Sequence, residues 1–180
     1  MIKILKLAIT YKDKLNKVFQ NVVFQDKYKF YNFENYWQYN MKLSEDSWND
    51  IEFVSVDDKD NIRGFLRAGI SRTSDKVSSL GIMNFYDTNV TFSRDLYKFL
   101  TDLFDKFSFR KIEFTVVVDN PVEKMYDKYI EKYGGSIVGI KKEGTKLLDG
   151  NYYDVKIYEI FREDYLKCKR RKLYETRKKF

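Results

Sequence analysis

Between Lys111 and Gly135 the sequence spells out a buried strand, a sharp turn and an amphipathic helix with both ends marked. Any fold it adopts must therefore lay that helix against a sheet. Residues 111–118 are β-branched and aromatic enough to read as a covered strand, and they run directly into Asp119-Asn120-Pro121. Asn120 suits a helix N-cap, Pro121 suits the first helical position, and Glu123 sits three residues after the cap. Val122, Met125, Tyr126, Tyr129, Ile130 and Tyr133 then form an apolar stripe that Gly134-Gly135 ends as a left-handed cap.

The rest of the chain supplies the partners. Residues 2–9 form a nearly continuous apolar run, broken by Lys3 and Lys6, and predict a strand. Thr10 and Asp13 predict a capped helix carrying Leu15, Val18, Phe19 and Val22. The aromatic stretch that follows is poorly patterned, with a helix expected only over 35–42. Residues 51–56 and 62–71, joined by Asp57-Asp58-Lys59-Asp60-Asn61, read as a hairpin, and 77–86 as a third strand of an antiparallel meander. Leu96, Phe99, Leu100, Leu103, Phe104 and Phe107 give a helix expected to start at Ser93. Residues 136–140 and 152–161 predict two last strands around Asp149-Gly150-Asn151.

Composition narrows the chemistry. The 180 residues fit one ordinary domain, expected over 1–166, with a basic tail over 167–180. No run approaches the roughly 20 apolar residues of a membrane span, and the charged start does not read as a signal peptide, so a soluble cytoplasmic protein without membrane partners is expected. With one cysteine, Cys168, and no histidine, neither an internal disulfide nor a zinc site is expected, and no imidazole can activate a nucleophile. The net charge is +7, and the tail holds eight basic residues against one acid, Glu175, which leaves the body formally neutral. Such a tail is expected to be solvated, with an acidic protein surface or nucleic acid as its possible partner.

The order of elements, together with Asn120 ending a buried strand, the tyrosine-bearing helix with its Lys-Tyr-Gly-Gly end, Ile137-Val138-Gly139, and Asp149-Gly150-Asn151-Tyr152-Tyr153-Asp154, resembles the GNAT superfamily of acyl-CoA-dependent N-acyltransferases. The likeness covers about residues 1–165 and is strong after Lys111. It implies a GNAT-like α/β (α+β) fold, a mixed and mostly antiparallel sheet of about seven strands with about four helices. It also implies acetyl transfer from acetyl-CoA to a primary amine: a peptide N-terminus, a lysine or a small amine. In that family two neighbouring strands splay and the pantetheine arm lies between them. The resemblance puts Ile82, Met83 and Asn84 against the arm, Asn120 near the thioester, and Tyr126 at the departing sulfur as general acid, with Tyr129 as the alternative. Glu113 is the candidate base.

The chain departs from the family where the pyrophosphate would sit. A glycine-rich, basic loop is replaced by Tyr86-Asp87-Thr88-Asn89-Val90-Thr91-Phe92-Ser93, without glycine. The phosphates are then left to the stretch Val90, Thr91, Phe92, Ser93 and Arg94, and weakened or absent CoA binding is expected. A second expectation follows: a catalytically inactive scaffold of the same fold, a structural or interaction protein. The bias towards Lys, Asn, Ile, Tyr and Phe is compatible with an AT-rich bacterial or phage genome, and a phage scaffold would be virion-associated.

Overall fold

The computed structural model describes residues 5–23, 25, 29–30, 40–147 and 149–177. Its seven strands are β1 (Lys6–Leu7), β2 (Asp50–Val56), β3 (Ile62–Ser71), β4 (Lys76–Asn84), β5 (Lys111–Val117), β6 (Ser136–Lys146) and β7 (Tyr152–Phe161). They form one sheet in the order β1-β2-β3-β4-β5-β7-β6. Among the described residues four α-helices accompany them: α1 (Lys12–Val22), α2 (Val90–Asp105), α3 (Glu123–Tyr133) and α4 (Arg162–Arg177). Every strand pairing is antiparallel except β4 with β5, as the α2 crossover between them demands. Among the described residues no helix is long and apolar enough to cross a membrane.

The sheet separates two cores. One joins Phe99, Leu103 and Phe104 of α2 and Ile130 of α3 to Leu66, Val77, Ile112, Phe114 and Tyr158; the other packs Leu15 and Phe19 of α1 on Val54, Ile62, Phe65 and Met83. The alternation of strand residues decides which core each side chain enters, so neighbours Phe65 and Leu66 lie on opposite faces.

Several elements differ from the sequence reading. Of the expected first strand, only Lys6–Leu7 pairs with β2, because the chain tightens into a 3-10 turn over Ala8–Tyr11; residues 1–4 lie outside the described residues. Thr10 does not cap α1: its hydroxyl donates back to the Leu7 carbonyl at 2.8 Å. Of the helix expected over 35–42, residues 35–39 lie outside the described residues and 40–42 are not helical. Helix α2 starts three residues before Ser93, capped by Asn89, whose side chain accepts from the Phe92 N–H. The expected tail is helical to Arg177, and the boundary placed after residue 166 falls inside α4. Tyr165 docks that helix by stacking on Phe104 at 4.6 Å and donating its hydroxyl to Asp105 at 2.9 Å.

The β2–β3 turn is held by one carboxylate. Asp57 accepts from the N–H groups of Asn61 (2.8 Å) and Lys59 (2.9 Å) and pairs with Arg63 at 2.7 Å. These donors, the Asn61 N–H first, hold its carboxyl down at about 2, below the ordinary 3.8. A folded-state pKa below the unfolded one makes this stabilisation complete above the ordinary range, and it is lost as pH falls through about 2. Thermal midpoints of wild type and Asp57→Asn should therefore differ most near neutrality and converge steadily between about pH 4 and pH 2. A gap between them that ignores pH would assign the turn's stability to other groups.

Candidate active site

The two parallel strands at the centre of the sheet pair at one end only. Lys76 and Val77 of β4 face Lys111 and Ile112 of β5, and no register continues beyond them. Each strand stays bonded on its outer side, β4 to β3 as far as Asn84 and β5 to β7 as far as Val117. The sheet is thus forked: beyond Val77 and Ile112 the facing edges of β4 and β5 do not pair with each other.

A cavity of 660 Å³ occupies the fork, lined along β4 by Leu80, Gly81, Ile82 and Asn84 and along β5 by Thr115, Val116 and Val117. The Phe85 N–H bonds to the Arg63 carbonyl of β3 at 3.2 Å. Because main-chain groups alternate edges along a strand, the N–H groups of Met83 and Gly81 also point to β3, while those of Ile82 and Asn84 point into the fork. Ile82 and Asn84 are accordingly on the wall, and Met83 is not: its side chain is fully buried in the α1 core.

The end of the fork is built from the turn after β5 and the first turns of α2 and α3. Asn120 lines it. Its carbonyl accepts from the Glu123 N–H at 2.8 Å and its side-chain oxygen from the Val122 N–H at 3.1 Å, so the asparagine closes a tight turn and α3 begins at Glu123, later than the sequence suggests. The side-chain nitrogen of Asn120 has no partner among the described residues. Asp119, in the left-handed region at φ 68°, turns the chain, and its N–H donates to Glu123 at 3.1 Å.

Tyr126 projects from the first full turn of α3 and lines the cavity with Met125. Its ring meets Phe114 edge-on at 5.0 Å and Tyr158 at 6.2 Å. A polar clamp holds this turn against β7: Lys156 bonds Glu123 at 2.9 Å and Asp127 at 2.8 Å, and the Tyr158 hydroxyl donates to Asp127 at 2.8 Å. The lysine keeps the Asp127 carboxyl below its ordinary range, while burial pushes the Tyr158 hydroxyl above its own.

Tyr129 points elsewhere. Its ring packs on Tyr133 at 4.7 Å, its hydroxyl is buried without a hydrogen-bond partner among the described residues, and burial pushes that hydroxyl well above the ordinary range. It does not line the fork. Glu113 stands at the joined end of the strands, held by Lys76 at 3.0 Å and Lys111 at 3.2 Å, with Lys76 foremost in keeping its carboxyl low. It lies two positions before Thr115, the first β5 residue on the cavity wall, and does not itself line the cavity. Of the five residues assigned to phosphates, Phe92 and Ser93 line the cavity; Val90, Thr91 and Arg94 do not. Arg94 lies 3.5 Å from the Asp95 carboxylate. Residues the sequence reading did not assign to the site, among them Gly81, Thr115 and Met125, complete the wall; they are recognisable as such only once β4 and β5 are seen to part.

No protein-family model matches the sequence, and no curated protein matches it significantly. Solved structures do. The spermidine/spermine N-acetyltransferase SpeG from Vibrio cholerae shares 26% identity over 67% of this chain and 70% of its own, at a TM-score of 0.55. A chimera of the Vibrio cholerae SpeG with hSSAT is matched over 92% of this chain and 99% of its own, at a TM-score of 0.66 and 22% identity. The seven-stranded sheet, its fork and these likenesses place the chain in the GNAT superfamily of N-acetyltransferases.

Proposed function

We propose that the protein transfers an acetyl group from acetyl-CoA to a primary amine, whether a peptide N-terminus, a lysine or a small amine. The observation that carries this reading is the fork, where β4 and β5 part after a single short pairing and enclose a cavity beside Asn120 and Tyr126. An extended arm containing amides can lie between β4 and β5 where the two strands part, and Leu80, Ile82 and Val116 offer apolar contact to its methylenes. Amines are also the acceptors for which the solved relatives, spermidine and spermine N-acetyltransferases, are named.

Each residue then has a task. The side-chain nitrogen of Asn120 donates to the thioester region and fixes it at the turn. The amine nitrogen attacks the thioester carbon, the new C–N bond forms as the C–S bond breaks, and the departing thiolate takes its proton from the Tyr126 hydroxyl. Alignment supplies much of the rate, because a neutral amine held against a thioester needs no metal or histidine. The ammonium proton leaves to water, since Glu113 is tied to two lysines at the far end of the strand.

Acetyl-CoA at 100 times its dissociation constant should stabilise the protein by about 2.7 kcal/mol and raise its thermal midpoint. Release of free thiol from acetyl-CoA on addition of a polyamine, a lysine ester or a short peptide would then identify the acceptor. The absence of both a thermal shift and thiol release with every acceptor would reject the activity and leave the fold without this chemistry.

A further inference from the structure

We infer that the donor is recognised through its acylated pantetheine arm and not through its diphosphate, so that CoA and a nucleotide-free pantetheine thioester are nearly equivalent donors. This rests on the donor slot proposed above and concerns which part of the donor the chain reads.

The argument starts at the place where an arm lying in the fork would emerge, the β4–α2 connection and the first turn of α2. A helix N-terminus attracts a diphosphate when its first amides are free and the backbone can come close. Here one of those amides is taken: Asn89 accepts the Phe92 N–H on its side-chain oxygen at 3.0 Å, while the Ser93 N–H makes the helix's ordinary first bond, to the Asn89 carbonyl, at 3.0 Å. The asparagine is itself fixed, because its side-chain nitrogen donates to the Arg63 carbonyl at 2.8 Å and to Asn84 at 2.7 Å. Freeing the Phe92 amide for a phosphate would break a cap and loosen both side-chain bonds.

Shape and charge point the same way. No glycine occurs between Gly81 and Gly134, so the connection cannot fold into the close backbone cradle that a diphosphate needs. Instead, the Phe92 ring lies directly on the backbone of Gly64, where a Cβ would collide with it and stand 2.5 Å from the Met83 carbonyl. That contact pins the first turn of α2 to β3 and β4. The arginines close to this end have other work: Arg63 pairs with Asp57 at 2.7 Å and covers the Tyr86 ring at 4.8 Å, and Arg94 lies against Asp95. Asp87 adds a carboxylate to the cavity lining, which opposes a diphosphate, and Lys29 is the one lysine or arginine among the described lining residues. The fork therefore suits an uncharged amide arm better than the phosphates beyond it.

The test compares kcat/KM for acetyl-CoA and for S-acetylpantetheine with one amine acceptor, at low and at high salt. The expected result is values within about threefold of each other, with little change in the ratio as salt rises, because few charges are neutralised on binding. Asp87→Arg should then move the ratio towards acetyl-CoA by about tenfold, by turning repulsion of the diphosphate into attraction. A wild-type preference for acetyl-CoA above about 30-fold would overturn the inference while leaving the acetyltransferase reading intact. Absence of turnover with both thioesters would instead overturn that reading, and the inference with it.

Discussion

Replacing Tyr126 with Phe is expected to lower kcat about 100-fold while the dissociation constant for acetyl-CoA stays within about twofold, the signature of a group used only in the transition state. The substitution removes one oxygen and keeps the ring, so the packing on Phe114 and Tyr158 survives and a folding defect does not confuse the measurement. The loss should shrink for a thioester whose thiol is more acidic, because such a thiolate leaves without a proton donor. Tyr129→Phe is the matched control. Its hydroxyl is buried without a partner among the described residues, so deleting it relieves an unsatisfied group and should leave turnover unchanged and stability equal or higher. If Tyr126→Phe retains full turnover, the leaving sulfur is protonated by solvent and the role assigned to this hydroxyl is wrong.

The contrast between the two tyrosines also shows how far the sequence could lead. Tyr126 and Tyr129 lie three residues apart on one apolar stripe, and a pattern at that resolution cannot say which faces the sheet's fork and which packs on Tyr133. Strands β3 and β7 were legible to the residue, because each has β-branched or aromatic content between strong turn residues. The fork itself leaves almost no mark on side chains. Its defining feature is a missing ladder between two backbones, and main-chain atoms are the same in every sequence; only the resemblance pointed to it. Glu113 looked available because charge on a strand is read as exposed, whereas Lys76 reaches it from the neighbouring strand, a pairing set by tertiary register. Helix α4 was hidden for a related reason: Tyr165 is buried against α2 while most of the following residues are charged, so no apolar period emerges and the segment looks like tail.

Phe114 is where fold and chemistry share one side chain, and Phe114→Ala is expected to destabilise the protein by about 3–5 kcal/mol in denaturant unfolding. The ring is 1% exposed. It faces Tyr158 across the β5–β7 ladder, stacked at 5.0 Å and 20°, and receives Tyr126 edge-on at 5.0 Å and 68°. Removing it opens a void flanked by two aromatic rings on different elements, neither of which can collapse inward: the Lys156 clamp holds the start of α3, and the ladder holds β7. Since a domain of this size is stable by only about 5–15 kcal/mol, this is a large fraction of the whole, and the alanine variant reports on folding alone. Phe114→Leu separates the second role. It keeps most of the volume at a cost of about 1–2 kcal/mol, but loses the flat face that sets the angle of the Tyr126 ring. A folded leucine variant should therefore bind acetyl-CoA normally and turn over about tenfold more slowly, since the hydroxyl is then held less firmly at the sulfur. Unchanged turnover in that variant would mean that α3, and not the β5 surface beneath it, is what aims Tyr126.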